Sequence, residues 1–117
     1  MTVWELIYER LTANGIEAYS PGQKTGQCLK PYVVIRNAGT IPLGGFSTKI
    51  TKYEFLCYVP VSVYSTLEPY VKRVSDILKG LAPMLISLET ELPDYTDSDI
   101  GAQLRVIQYR LARKIEQ

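Results

Sequence analysis

The sequence predicts an α+β domain, a mostly antiparallel β-sheet with two α-helices packed on one face. Two segments carry apolar residues at helical spacing, several others alternate apolar with polar residues, and the elements fall in the order α-β-β-β-α-β-β. At 117 residues with 46% apolar composition, the chain suits a single domain spanning residues 1–117, able to bury a core without staples.

The first helix is expected over about residues 3–13. Thr2 and Glu5 have the spacing of a capping box, Trp4, Ile7 and Leu11 with Val3 and Tyr8 share one side, and Asn14-Gly15 supplies a left-handed stop. A short apolar piece, Ile16 to Tyr19, precedes a loop rich in Gly, Pro and Lys. Tyr32 to Arg36 is β-branched and aromatic, and Pro31 suits the entrance of a strand. "AGTIPLGGFST", Ala38 to Thr48, reads as a long connection, of the kind that is usually functional in compact domains.

From Lys49 to Val59 the residues Thr51, Tyr53, Phe55, Cys57 and Val59 alternate with Lys52 and Glu54, the pattern of a strand with one face buried. A second capping box is expected at Ser65 to Glu68. It leads a helix whose apolar face is Leu67, Val71, Val74, Leu78 and Leu81, with Pro69 in its first turn and Gly80 and Pro83 at its end. Met84, Ile86, Leu88 and Leu92 then alternate with polar residues as a further one-faced strand. The last segment fits either element: Leu104, Ile107, Leu111 and Ile115 have helical spacing, whereas the β-branched and aromatic content of residues 102–113 favours a strand.

Composition narrows the function. The chain has no histidine, the commonest metal ligand and the usual general base near neutral pH, so no enzyme, metal or cofactor is expected. Cys28 and Cys57 form no C-x-x-C pair and read as reduced core residues. No segment has the roughly twenty apolar residues of a membrane span, and Glu5 and Glu9 interrupt the N-terminal region, so a soluble, unexported chain is expected. Nine tyrosines against two phenylalanines suit half-buried strands or subunit contacts.

No motif survives inspection. "GQKTGQ", Gly22 to Gln27, has its glycines too close for a phosphate loop and no Gly-Lys-Ser/Thr. Asp97-x-Asp99 resembles the start of a calcium loop, but Gly101 replaces the third ligand and no acid stands at the twelfth position. The carboxylates from Glu89 to Asp99 sit on outward positions and in a Pro-containing turn, with no apolar pocket evident to raise a pKa.

The charge pattern is more informative. Between Glu17 and Glu54 there are five bases and no acid, from Glu89 to Asp99 five acids and no base, and Arg105 to Lys114 is basic again. Such blocks either meet between successive copies in a head-to-tail contact, where opposite charge fixes register, or pair within the monomer across neighbouring strands. Direct nucleic-acid binding is disfavoured by a net charge of +1 and the absence of a binding motif.

The capped N-terminal helix, "LKPYVVIRNAGT" leading into a Gly/Pro loop, the strand "TKYEFLCYVPV", the helix "EPYVKRVSDILKGL" and the ending "ELPDYTDSDIGAQLRVIQYRLARK" together resemble the small tail-completion and tail-terminator proteins of long-tailed bacteriophages. The likeness covers nearly the whole chain in order and rests on size, layout and the terminal Pro-Asp-Tyr and Arg-x-x-x-Tyr-Arg patterns. It implies a non-catalytic structural subunit that forms a ring, commonly a hexamer, on the tail tube and joins it to the capsid connector. Its place would be the virion's head–tail junction, and the host cytoplasm during assembly. By the same resemblance Tyr95, Asp97, Asp99, Arg105, Tyr109 and Arg110 would lie near the subunit boundary. The loop Ala38 to Thr48, with Thr40, Pro42, Gly44, Gly45 and Phe46, would reach toward a tail or connector partner. The rival expectation is a small-molecule-binding or regulatory domain, which calls for a closed apolar pocket. Reversing Arg105 and Arg110 to Glu is expected to disrupt assembly and spare the fold.

Overall fold

A computed structural model describes residues 2–42, 49–82, 84–88 and 92–111, with residues 40–42 and 49–50 described by their backbone alone. The element order is α1 (Val3–Ala13), β1 (Ala18–Tyr19), β2 (Tyr32–Pro42), β3 (Lys49–Pro60), α2 (Leu67–Leu78), β4 (Leu85–Ser87), β5 (Tyr95–Asp97) and β6 (Ala102–Leu111). The strands form one sheet in the order β1-β2-β3-β6-β4, and β5 shares the outer side of β6 with β4. Only β1 and β2 run parallel; the other pairs are antiparallel. The predicted fold class is the one observed.

α1 starts and stops as its sequence implies. The Thr2 hydroxyl accepts the Glu5 N–H at 3.1 Å while the Glu5 carboxylate accepts the Thr2 N–H at 2.8 Å, so two backbone donors are satisfied at once. Gly15, at φ +84°, turns the chain out of the helix. Ile7 and Leu11 of α1 and Leu67, Val71, Val74 and Leu78 of α2 pack on the alternating sheet residues Val33, Ile35, Tyr53, Phe55, Cys57, Val59 and Tyr109. This single apolar layer, with Phe55 fully buried and edge-on to Tyr109 at 5.4 Å, is the main core.

Three local expectations change. The second capping box does not form: Ser65 lies inside a 3-10 stretch, Val61–Thr66, and Thr66 caps α2 without a side-chain bond to it. Glu68 turns instead to Arg105 of β6, at 2.7 Å. The strand expected from Met84 is shorter and faces the other way, with Leu85 buried on the helix side and Ile86, expected inward, half-buried on the opposite face beside Arg110. Leu85 pairs with Leu111 in the ladder and shares its face, and a one-residue difference in register exchanges the two faces of a strand. Glu89 to Glu91 lie outside the described residues. β5 occupies a segment expected as a turn, and the ambiguous last segment is the strand β6, whose expected end at residues 112–113 lies outside the described residues.

The connection Ala38 to Thr48 is also reassigned at both ends. β2 continues through Thr40 to Pro42 and β3 begins at Lys49, so a long hairpin replaces most of the loop. A bulge between Asn37 and Gly39 bends β2, with Gly39 at φ +99° and the Asn37 side chain accepting the Gly39 N–H at 2.8 Å. The ladder between β3 and β6 reaches Lys52↔Arg110, whereas β2 and β3 stay paired through Thr40↔Thr51, Ile41↔Ile50 and Pro42↔Lys49. Among the described residues the hairpin therefore continues past the β3–β6 ladder as a two-stranded ribbon of roughly 10 Å. Gly44, Gly45 and Phe46 lie outside the described residues.

On the face away from the helices, the connection from β1 to β2, residues 20–31, crosses the sheet as a strap. Its Cys28 N–H donates to the Ile100 carbonyl at 2.7 Å, and Gln27 donates to the Asp99 carbonyl at 3.3 Å, so the strap reaches the turn before β6. Beneath it Cys28 packs with Tyr32 and Ala102, flanked by Tyr19, Val34, Tyr58 and Ile100.

Candidate functional site

The charge blocks are where the chain concentrates its unusual chemistry, and the sheet divides them into internal pairs and a remainder. Arg105 lies on the helix side of β6, opposite Cys57. Its Nε and Nη2 grip both oxygens of Asp94 at 2.6 and 3.3 Å, and its Nη1 holds Glu68 at 2.7 Å. The Tyr64 hydroxyl donates to Asp94 at 2.5 Å. The guanidinium thus joins β6, the segment before β5, the 3-10 stretch and the first turn of α2, with bidentate geometry on one carboxylate.

This cluster brings Asp94 beside Arg105 in a small cavity of about 100 Å³ that is also lined by Tyr64, Ser65, Leu67 and Glu68. Its electrostatics suit a clamp better than an acid–base site. The Arg105 guanidinium holds the Asp94 carboxyl below its ordinary value, with the Tyr64 hydrogen bond adding to the effect. The bond to Asp94 raises Tyr64, and Arg105 is itself raised by Asp94 and Glu68. A carboxylate held ionised by a bidentate cation is a poor proton acceptor.

Two further pairs consume charge from the same blocks. Glu54 accepts from Arg36 on one oxygen and from Gln108 on the other, at 2.8 Å, linking β2, β3 and β6 in one row. Burial alone would raise the Glu54 carboxyl, and the bonds from Gln108 and Arg36 outweigh it and hold it below its usual value. Lys30 meets Glu17 at 2.6 Å; this bond, aided by the Tyr19 hydroxyl, lowers Glu17.

These depressed carboxyls give a signed pH dependence. Unfolded values are about 3.9 for Asp and 4.3 for Glu. A group whose folded value lies lower contributes stability above the unfolded value and loses it as pH falls through the folded one. Denaturation midpoints are therefore expected to stay level between about pH 7 and pH 5 and to drop below about pH 4. Asp94→Asn should flatten part of that drop; an unchanged acid slope in this variant would contradict the assignment.

The expected boundary residues separate into three kinds. Arg105 is engaged inside the chain, and Tyr109 is 4% exposed in the core, so both serve the monomer. Tyr95 is 50% exposed on β5, with Asp97 at the end of that strand and Asp99 in the following turn. Arg110 is half-buried on the face away from the helices, directly across from Lys52. Thr40 and Pro42 belong to the ribbon. Sequence reasoning counted Lys52 in the basic block without singling it out, and overlooked Tyr64 and Glu68 as members of the Arg105 cluster. The strand alternation already put Lys52 on the open face, while the partnership of Glu68 and Tyr64 with Arg105 is a tertiary contact with no local signal.

Among the described residues no group of three or more His, Cys, Asp or Glu side chains is placed to hold a metal ion. No described helix is long and apolar enough to cross a membrane. A cleft of about 470 Å³ lies between α2 and β4 and is lined by Ser75, Lys79, Ala82, Leu85, Ile86, Ser87 and Tyr109. A second, of about 330 Å³, lies between α1 and β1. No protein-family model matches the chain, and no curated protein is significantly similar to it.

Proposed function

We propose that this chain is a structural subunit of a phage head–tail junction, a tail-completion or tail-terminator protein that assembles with copies of itself, caps the tail tube and contacts the capsid connector. The observation that carries the reading is the β2–β3 ribbon, which runs past Lys52↔Arg110, the last β3–β6 pair among the described residues. An isolated two-stranded ribbon is marginal in water. One that continues past its neighbouring strand is suited to being completed by another chain, and the family resemblance assigns the sequence that joins its two strands, with Gly44, Gly45 and Phe46, to a tail or connector partner. The helix-backed sheet agrees with the α/β subunit the resemblance implies. The role needs no catalytic group, and the Arg105 cluster reads as a clamp.

A ring is the expected assembly, and electron microscopy of the purified protein tests it. Closed annular particles are expected from the full chain. A variant in which residues 40–51 are replaced by a two-residue Asn-Gly turn should keep its melting temperature within a few degrees and lose docking to tail tubes. Unchanged docking by the shortened variant would remove the ribbon from the account. The cleft beside Ser75 and Tyr109 favours the rival small-molecule reading. That reading calls for saturable stabilisation by a ligand and a stable monomer or dimer.

A further inference from the structure

The face of the sheet away from the helices is stepped. At one end the strap over Tyr32, Tyr58 and Ala102 raises it. Leu29 in that strap is 84% exposed, although the neighbouring Cys28 is packed inward. Tyr95, 50% exposed, shares this face because it pairs with Leu104, which pairs in turn with Tyr58.

The strap does not reach the other end of the face, and Leu56 and Val106 are half-buried there, beside Val34 at the strap's edge. The ladder sets Val34, Leu56 and Val106 side by side across β2, β3 and β6, and Leu56 and Val106 belong to neither core cluster. Beyond them come the bonded row Arg36, Glu54 and Gln108, and then Lys52 opposite Arg110.

Lys52 and Arg110 are like charges facing one another across two strands, an arrangement that costs stability unless an anion relieves it. Neither makes an ion pair among the described residues, and neither do Asp97 and Asp99. The two sets cannot meet within one chain. Asp97 stands beside Ala102, and from there to Arg110 along β6 is about 27 Å.

We propose that this face is a self-association surface on which two copies pack face to face about a two-fold axis lying across the strands. Such an axis exchanges the two ends of the face, so the raised strap of each copy enters the lower half of the other. Leu29 of each copy then covers the Val34, Leu56 and Val106 row of the other, and Asp97 and Asp99 reach Lys52 and Arg110 twice over. A second copy is the occupant because each half of the surface carries what the other lacks: an exposed leucine against the half-buried Leu56 and Val106, and acids against bases that make no ion pair among the described residues. Charge complementarity of this kind fixes register, and the apolar centre supplies most of the affinity. The inference does not rest on the head–tail reading, although a ring assembled from such pairs holds an even number of copies.

A reciprocal charge exchange tests it by sedimentation equilibrium. The double variants Lys52→Glu/Arg110→Glu and Asp97→Lys/Asp99→Lys should each weaken self-association at least tenfold, and Leu29→Glu should do so with every charge in place. An equimolar mixture of the two double variants should recover association to within a few-fold of the native chain, because every contact is complementary again. Recovery also shows that both variants are folded. Self-association unchanged by the reversals, a mixture that stays monomeric, or a native chain that is monomeric throughout would each overturn the proposal. A ring that persists through the reversals would overturn the face-to-face pair and leave the ring reading standing.

Discussion

Phe55→Ala should lower the stability of the monomer by about 3–5 kcal/mol, the usual cost of removing a fully buried aromatic ring. The Phe55 side chain is fully buried, lies edge-on to Tyr109 at 5.4 Å, and stands on the central strand between Ile35 and Ile107. Both helices pack onto the layer it belongs to, so the cavity left behind has rigid walls on every side. Against a typical total of about 5–15 kcal/mol the loss is large, and a fall in melting temperature on the order of 15 °C is expected. Leu56→Ala, one residue along, is the internal control. Leu56 points to the face away from the helices, and its truncation should cost only about 1 kcal/mol. Denaturant midpoints for the two variants check the assignment; equal losses would mean that the core does not lie on the helix side alone.

Arg105→Glu is expected to destabilise the fold by about 2–4 kcal/mol, because it strips a bidentate partner from Asp94 and adds a third carboxylate beside Glu68. The Arg105 and Asp94 side chains are only 25% and 18% exposed, so solvent screens the new repulsion poorly. Sequence alone pointed the other way, toward an exposed charge that matters for assembly and not for stability. Arg110→Glu is the fitting contrast. Arg110 has no ion pair among the described residues, so its reversal should leave stability within about 0.5 kcal/mol of the native chain while weakening association. Thermal melts and sedimentation of the two single variants separate these roles. Equal melting temperatures would show that the Arg105 clamp contributes nothing to the fold.

The fold was largely legible because its main signals are local. Thr2 and Glu5 announce the start of α1, the apolar spacing from Leu67 to Leu78 marks the buried face of α2, and the alternation from Tyr53 to Val59 shows which side of β3 faces the core. What was not legible depends on partners distant in the chain. β4 takes its facing from Leu111 and β5 exists only as a partner of β6, so neither register can be read from its own few residues. The ribbon was hidden because glycine and proline in "AGTIPLGGFST" are turn signals, while pairing across the hairpin outweighs them at Gly39 and Pro42. The charge blocks were visible as a pattern, but their division into internal pairs and surplus charges follows from tertiary geometry. Three bases, Lys30, Arg36 and Arg105, are matched inside the chain, while Lys52 and Arg110 are left across from each other.

Self-assembly through those surplus charges joins the proposed virion role to the stepped sheet face, and solution mass tests it most directly. Light scattering behind a sizing column, across a concentration series at low and high salt, should give a discrete particle of two copies or a larger even number. Its mass should fall toward the 13.2 kDa of the single chain as salt rises. A mass of 13.2 kDa at every concentration and every salt would contradict self-assembly in solution and with it the face-to-face pair.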